Sequence, residues 1–117
     1  MRTQVGIVGA GPAGLMLSVL LRRAGIASVV LEDRSRAYIE NRVRAGLIEQ
    51  WVNNLLIEIG AGERLLRQGM VHDGIFLSAR GLLHHIDFRT LVDKGVTIYE
   101  QKEVVKDLVA KLLDDGG

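Results

Sequence analysis

A chain of 117 residues has room for one small domain with a thin stability margin, because a short chain buries a modest share of its surface. Apolar residues make up 48% and charged residues 25%; the net charge is +1 and no long basic stripe occurs, which argues against nucleic acid as a partner. The absence of cysteine excludes disulfides, thiol catalysis and cysteine metal sites, and it fits a reducing cytosol.

The first 31 residues predict a βαβ unit. A β-favouring run at 3–8, a glycine turn at 9–14, a helix at 15–24 and a second buried strand at 27–31 follow one another, and the two strands should be parallel. The uncharged stretch between Arg2 and Arg22 resembles a signal peptide or a membrane span. Glycines and a proline interrupt it and no cleavage site follows, so we expect a soluble, cytoplasmic protein without a membrane partner.

The middle of the chain alternates between polar and periodic segments. The polar segment 33–44 predicts a loop. A helix over 46–59 is predicted by apolar residues that recur every fourth position, namely Leu47, Trp51, Leu55 and Ile59. Trp51 lies on this apolar stripe, so core packing is its default interpretation.

The last half of the chain predicts several short elements. They are a helical turn at 63–67, strands at 71–79 and 82–88 joined by a tight turn at Arg80-Gly81, a strand at 96–100 and an amphipathic helix at 104–113. The alternating charges of residues 100–107 are interpreted as a solvated helix face.

Together these elements predict an α/β fold: a Rossmann-type parallel sheet with a small β-element inserted near residues 71–88. A parallel sheet needs helices on both faces, and a last helix normally returns the chain to another strand. We therefore expect residues 1–117 to be an incomplete domain.

The glycine turn carries the first chemical signal. Residues 9–14, GAGPAG, match G-x-G-x-x-G between a strand and a helix. Gly9 permits the tight turn, Gly11 lets the backbone approach a pyrophosphate, and Gly14 allows close packing of helix and strand. The pyrophosphate then lies at the helix N-terminus, where free N–H groups favour an anion.

Glu32 ends the second strand, 18 residues after Gly14, where an acid should accept hydrogen bonds from adenosine ribose hydroxyls. Its charge argues against a 2′-phosphorylated nucleotide at this position. The alternative is a surface glutamate beside an ordinary glycine turn, but the strand and helix context favours a nucleotide site. The motif alone does not separate FAD from NAD.

Other polar residues give weaker signals. Arg42 and Arg44 could clamp phosphates, although a solvated basic loop is the default interpretation of two such arginines. His84 and His85 are adjacent on a strand and face opposite sides, so they do not jointly chelate a metal. A lone histidine such as His72 is more often structural or exposed than catalytic. We predict no metal site.

Five stretches carry a family resemblance: TQVGIVGAGPAGLMLSVLLRRAGI, VVLE, RVRAGLIEQ, GMVHDGI and IDF. They resemble the para-hydroxybenzoate hydroxylases of the group A flavoprotein monooxygenases, in near-constant register from Met1 to about Leu108. GAGPAG is shared with many flavoproteins, whereas RVRAGLIEQ followed by GMVHDGI is much more particular to this family.

The resemblance implies an FAD-dependent enzyme of aromatic catabolism. Such an enzyme takes NADPH or NADH, reduces FAD, uses O₂ and hydroxylates 4-hydroxybenzoate, a small aromatic substrate, beside its phenol hydroxyl. It also implies that the full-length form is a homodimer. The substrate-binding portion is absent from residues 1–117, so we expect this FAD-binding portion alone to be inactive.

The resemblance also assigns residues by position. Cofactor contacts are implied for Gly9, Gly11, Ala13, Gly14, Glu32, Arg42, Val43, Arg44, Ala45, Gly46, Leu47 and Gln101. Within this set the glycine turn holds the pyrophosphate, Glu32 the ribose and Gln101 the ribityl region of the flavin. His72 matches a histidine of the proton relay to the substrate. Tyr38 lies in the loop that selects NADPH or NADH.

Some positions depart from the family pattern. Asp33-Arg34 follows Glu32 where NADPH-preferring members carry an arginine first, which leaves the nicotinamide preference open. Asn41 replaces a glycine, residues 90–95 are shortened, and the sequence drifts after Leu108. Two other hypotheses stay open: a stand-alone FAD or NAD module, and another FAD-dependent oxidoreductase. The RVRAG and GMVHDG stretches favour the hydroxylase.

Overall fold

The computed structural model describes residues 1–117 and contains seven strands and six helices. In chain order they are β1 (Val5–Val8), α1 (Pro12–Arg23), β2 (Ser28–Leu31), α2 (Arg36–Asn41), β3 (Leu47–Glu49), α3 (Gln50–Glu58), α4 (Glu63–Gln68), β4 (Met70–His72), β5 (Gly74–Ala79), β6 (Leu82–Asp87), α5 (Phe88–Val92), β7 (Val96–Ile98) and α6 (Gln101–Asp114). None of the helices combines the length and apolar character needed to cross a membrane.

The predicted βαβ unit is present. β1 and β2 are parallel, with Val5 opposite Ser28 and Val8 opposite Leu31. α1 begins at Pro12, a position where the missing proline N–H costs no hydrogen bond. Its last turn carries two arginines, which suit the negative end of the helix dipole. The mixed α/β architecture with a parallel strand pair confirms the predicted fold class.

A second, antiparallel sheet has the strand order β3-β7-β4. The predicted strand 96–100 shortens to Val96–Ile98 and forms the centre of this sheet, so it does not extend the parallel pair. Gly46 explains the packing at one end: a Cβ there would lie 2.6 Å from both the Glu100 Cα and the Tyr99 carbonyl oxygen. Only glycine permits this close approach.

One core cluster joins the parallel pair's helix to the rest of the chain. It contains Ala10, Leu15, Val19, Ile48, Leu56, Ile59, Ala61, Leu65, Tyr99, Val104, Val105 and Leu108. Only 18 of 117 residues are buried in total, so this cluster supplies most of the hydrophobic stabilisation. α1 and α6 pack directly on each other and fix the two ends of the chain together.

β5 and β6 form the inserted β-element as a hairpin. Arg80 (φ 51°) and Gly81 (φ 76°) make its turn, as the sequence predicts, because both central residues of such a turn need positive φ. Most of the hairpin is exposed, including Phe76 and Leu82. The Cα radius of gyration is 16.8 Å, against roughly 13 Å for a compact domain of this length. The chain is accordingly elongated.

The predicted helix over 46–59 is wrong at its start. Residues 47–49 pair with β7 as β3, and α3 begins only at Gln50. Helix α3 therefore buries Asn53 and Leu56, and Trp51 is 62% exposed, which contradicts its predicted core packing. The apolar stripe mixed one strand residue, Leu47, with helix residues.

Three further expectations are wrong in detail. The predicted loop 33–44 contains α2, which Ser35 caps by accepting a hydrogen bond from the Tyr38 N–H at 3.2 Å. The predicted strand 71–79 is two strands that break at Asp73. The predicted strand 82–88 ends at Asp87, which caps the short helix α5 by accepting from the Thr90 N–H.

Candidate functional site

The glycine turn between β1 and α1 has the geometry that its motif predicts. Gly9 has φ 101°, a conformation that side chains with a Cβ rarely adopt, and its N–H donates to the Leu31 carbonyl at 2.7 Å. A Cβ on Gly14 would overlap the Gly9 carbonyl oxygen. These two glycines are therefore required by the fold itself.

Gly11 is different, because neither conformation nor packing of the chain requires a glycine there. Its φ is −79°, and a Cβ at this position would meet no atom within 4 Å. The open space lies directly in front of the N-terminus of α1. A glycine that the chain does not need is consistent with room kept for a ligand.

The first turn of α1 presents free hydrogen-bond donors. The backbone N–H groups of Gly11, Ala13 and Gly14 donate to no acceptor in the chain, and no side chain caps the helix. Unpaired N–H groups and the positive end of the helix dipole together favour an anion such as a phosphate.

Glu32 holds the turn in place. Its Oε2 accepts a hydrogen bond from the Ala10 N–H at 2.9 Å, and its Oε1 accepts one from the Arg34 N–H at 2.9 Å. These hydrogen bonds lower the pKa of the Glu32 carboxyl, and the one from Ala10 has the largest effect. The carboxylate stays ionised at neutral pH and keeps lone pairs for further donors.

A first cleft, of about 90 Å³, opens beside this turn. It is lined by Ala10, Gly11, Pro12, Glu32, Arg34, Tyr38, Ile39, Arg42, Arg44, Gln101, Lys102 and Val105. Five of the cofactor residues predicted from the sequence meet here: Gly11, Glu32, Arg42, Arg44 and Gln101. None of the salt bridges of the chain involves Arg42 or Arg44. Both guanidinium groups therefore remain available for an anionic ligand.

Tyr38 lies between two of these cations. The guanidinium carbons of Arg34 and Arg42 lie 5.5 and 5.9 Å from the centroid of its ring, within cation–π range. Tyr38 lies on the short helix α2, and Arg42 is the residue that caps the C-terminus of this helix.

A second cleft, of about 520 Å³, adjoins the first and shares Pro12, Arg44 and Gln101 with it. Its other lining residues are Ala45, Gly46, Leu47, Ile48, Glu49, Trp51, Val52, Tyr99 and Val104. Three more predicted cofactor residues, Ala45, Gly46 and Leu47, lie here. The exposed Trp51 forms part of the wall and donates through Nε1 to Glu49 at 2.8 Å. Sequence reasoning missed Trp51, whose only signal was its place four residues after Leu47.

A polar network supports the α6 side of both clefts. Tyr99 donates its hydroxyl hydrogen to Asp107, and Arg64 of α4 pairs with Asp107 at 2.7 Å and with Glu103. Burial and the Asp107 hydrogen bond raise the pKa of Tyr99, and the Glu103 and Asp107 carboxylates raise that of Arg64. The side chains of Glu103 and Asp107 are only 17% and 9% exposed, which contradicts the predicted solvated face for these two residues.

Some predicted residues lie outside both clefts. Val43 is 75% exposed and His72, on β4, is also exposed; neither lines a cleft. Lys102 lines the first cleft although the sequence interpretation overlooked it. No cluster of three or more potential metal ligands occurs.

A larger cavity, of about 720 Å³, lies between α1, β2 and α6. Its lining is mainly apolar and contains neither the arginines of the first cleft nor Gln101. β2 pairs only with β1, so this cavity borders an unpaired strand edge. Size alone would favour it, but the arginines without carboxylate partners and the N-terminus of α1 lie at the smaller first cleft.

Comparison with known proteins shows which family the chain belongs to. The sequence profile of the family described as "FAD binding domain" matches residues 2–116. The chain belongs to the FAD binding domain family. This family match shows that the G-x-G-x-x-G turn, which by itself fits FAD or NAD, is here the turn of an FAD-binding domain.

Three relatives of this FAD-binding domain are named as hydroxylases or monooxygenases. It is 44% identical over 110 residues to the p-hydroxybenzoate hydroxylase of Acinetobacter baylyi, covering 93% of this chain and 27% of that protein. It is 40% identical over 91 residues to the 6-methylpretetramide 4-monooxygenase of Streptomyces rimosus, covering 76% of this chain and 21% of that protein. The OxyS anhydrotetracycline hydroxylase structure from S. rimosus matches with a TM-score of 0.78 at 28% identity, covering 100% of this chain and 24% of that chain. The chain spans about a quarter of the length of these relatives.

The residues of this FAD-binding domain fit the ADP half of FAD. Free N–H groups at the start of α1 suit a diphosphate, and Gly11 leaves the space for it. The ionised Glu32 suits ribose hydroxyls, and the unpaired Arg44 reaches both clefts. The more apolar second cleft suits the flatter, less polar remainder of the molecule.

Proposed function

We propose that the chain binds FAD and is the FAD-binding part of an NAD(P)H-dependent flavoprotein monooxygenase that hydroxylates 4-hydroxybenzoate. One observation carries the proposal: the first cleft gathers Gly11, Glu32, Arg42, Arg44 and Gln101 around a helix N-terminus with free donors. These residues are spread over most of the sequence, and the family resemblance implies a cofactor contact for each of them.

Each element has a binding role in this proposal. The α1 N–H groups and Arg44 hold the diphosphate, while Glu32 accepts hydrogen bonds from the ribose. Gln101 and the backbone of residues 45–47 orient the flavin portion in the second cleft. When bound, FAD supplies the hydride acceptance and oxygen chemistry, and the protein supplies orientation and electrostatics.

The choice of substrate rests on similarity. The 44% identity to a p-hydroxybenzoate hydroxylase supports 4-hydroxybenzoate. The 40% identity to a 6-methylpretetramide monooxygenase favours, as a second candidate, a larger polycyclic aromatic substrate. His72 is proposed as the proton-relay residue on the match of GMVHDGI, and its exposed side chain leaves it free to contact groups outside this domain.

The reductant is proposed to be NADPH or NADH, bound beside Tyr38. Arg34 and Arg42 flank this ring and could pair with a 2′-phosphate, whereas Asp33, whose carboxylate lies 3.7 Å from Arg34, opposes it. Because the arginines favour a 2′-phosphate and Asp33 opposes it, NADPH and NADH both remain candidates.

Titration of the purified chain with FAD, FMN, NAD and NADP, followed by flavin fluorescence and calorimetry, tests the proposal. We expect FAD to bind more tightly than the other three, because it combines a diphosphate for the first cleft with a large, mainly apolar ring system for the second cleft. Preference for NAD would instead support a stand-alone nucleotide module. We also expect no hydroxylation of 4-hydroxybenzoate by these 117 residues, and product formation by the purified chain would overturn that part of the proposal.

A further inference from the structure

Lys102 lies in the first cleft, on the first turn of α6, and neither the motif nor the resemblance gives it a role. Gly11, Pro12 and Arg44 line the same cleft. The cleft is therefore lined both by a cation of α6 and by the N-terminus of α1 with its free N–H groups.

Lys102 forms an ion pair with Glu100, and this pair is weak enough for another anion to replace Glu100. The Nζ atom lies 2.8 Å from Glu100 Oε2, and the Glu100 side chain is 58% exposed. Glu100 is not among the residues that line the cleft. The Lys102 side chain is 27% exposed. A partly exposed ion pair between residues two apart in the sequence contributes little stability, so Lys102 can exchange Glu100 for another anion at small cost.

The charges around the cleft favour such an exchange. Four cations, Arg34, Arg42, Arg44 and Lys102, face one carboxylate, Glu32, whose two oxygens already accept backbone hydrogen bonds. The hydrogen bond to Glu100 raises the pKa of the Lys102 ammonium, which therefore stays charged at any pH near neutrality. The cleft is consequently cationic and suited to an anion with more than one charge.

We propose that Lys102 is an additional anchor for the diphosphate of the bound dinucleotide, reached when its ammonium leaves Glu100. This inference rests on the proposed FAD-binding function and adds to it a contact from α6. The diphosphate is then held between the N-terminus of α1 and a cation of α6, the two helices whose packing joins the ends of the chain.

Three variants serve as matched comparisons. Lys106 lies one turn later on α6 and pairs with Glu103 at 3.0 Å, but it lines neither cleft, so Lys106→Gln is the control for loss of a lysine. Glu100→Gln removes the competing carboxylate and leaves Lys102 in place. Lys102→Arg keeps the charge.

The experiment measures dissociation constants of FAD, ADP and riboflavin for these variants at low and moderate salt. We expect Lys102→Gln to weaken FAD and ADP binding about tenfold, the effect of one charge-assisted hydrogen bond, and to leave riboflavin unchanged. Lys102→Arg should retain most of the affinity and Lys106→Gln all of it. Glu100→Gln should tighten ADP binding, and added salt should reduce the difference between wild type and Lys102→Gln.

A purely structural role for Lys102 predicts the opposite for Glu100→Gln, since loss of the ion pair would then weaken binding. Equal affinity of wild type and Lys102→Gln for ADP overturns the inference while FAD binding stands. Failure of the wild-type chain to bind FAD is a separate result and overturns the proposed function itself. Loss of riboflavin binding in Lys102→Gln would likewise contradict a diphosphate contact.

Discussion

The carboxylate of Glu32 accepts a hydrogen bond from the backbone N–H of Ala10 at 2.9 Å, across the turn that joins β1 to α1. The acid at the end of β2 thereby fixes the conformation of the glycine turn as well as facing the cleft. Ribose binding and turn geometry depend on the same side chain, so its loss should affect ligands that carry a ribose next to a diphosphate most strongly.

Glu32→Gln should weaken FAD and ADP binding about tenfold, because the amide accepts hydrogen bonds more weakly than the carboxylate. The hydrogen bonds lower the pKa of Glu32 in the folded chain, so their stabilisation is present above the unfolded pKa of about 4.5. It is lost as the pH falls through the lower folded value. Thermal denaturation from pH 7 to pH 3 should show the two proteins converging in acid; a constant difference would contradict this role. Glu63→Gln, an exposed carboxylate in α4, is the control.

Gly14→Ala should lower the stability of the fold, whereas Gly11→Ala should impair FAD binding without affecting stability. A Cβ at Gly14 overlaps the Gly9 carbonyl, so Gly14→Ala should lower the free energy of unfolding by about 1–3 kcal/mol, the usual range for overpacking. Gly11 has an ordinary φ and open space, so Gly11→Ala should leave stability within about 0.5 kcal/mol and abolish tight FAD binding. Urea denaturation and FAD titration separate the two effects. If Gly11→Ala binds FAD normally, the space in front of α1 is not the diphosphate site.

Arg44→Ala should weaken FAD binding by about ten- to a hundredfold, because its guanidinium has no carboxylate partner and reaches both clefts. Arg44→Lys should recover only part of the affinity, since an ammonium lacks the planar fork that matches a phosphate. Arg36→Ala is the control: Arg36 pairs with Glu40 at 2.7 Å within α2 and lines neither cleft. Equal losses for Arg44→Ala and Arg36→Ala would indicate a nonspecific charge effect.

Arg64→Met should lower the free energy of unfolding at neutral pH by about 1–2 kcal/mol, a value reduced because the Arg64 side chain is 34% exposed. It leaves Asp107 without a cation, and Glu103 keeps only its pair with Lys106. Arg64 is the main cause of the lowered pKa of Glu103, so the stabilisation is present above the unfolded value of about 4.5 and is lost as pH falls through the folded value. The deficit should therefore shrink in acid. Arg67→Met, on the same helix with a 3.9 Å exposed pair, should change little.

The parts of the fold that could be predicted from sequence are local. β1, the turn, α1 and β2 follow within 31 residues, and each boundary has its own signal in glycine, proline or a run of β-branched residues. The nucleotide turn and Glu32 belong to this unit. The hairpin turn at Arg80-Gly81 was predictable for the same reason.

The family resemblance indicated several residues of the second cleft, but its shape could not be predicted because it depends on contacts between distant residues. Gly46 packs on Tyr99 and Glu100, and residues 47–49, which the apolar pattern assigns to a helix, pair with β7 as β3. With this pairing, Trp51 is exposed at the cleft. Lys102 was overlooked because alternating charges along a helix resemble a solvated face, and only the packing of α6 against α1 brings it beside the turn.

In the proposed complex, a diphosphate binds at the N-terminus of α1 with Arg44 and Gln101 nearby. Amide chemical-shift mapping of the isotope-labelled chain during titration with FAD tests this most directly. We predict the largest shifts at the Gly11, Ala13 and Gly14 N–H groups and at the Gln101 side-chain amide, with none in the β5–β6 hairpin. Saturable FAD binding that leaves the α1 N-terminus unshifted, or shifts centred on the cavity beside β2, would contradict it.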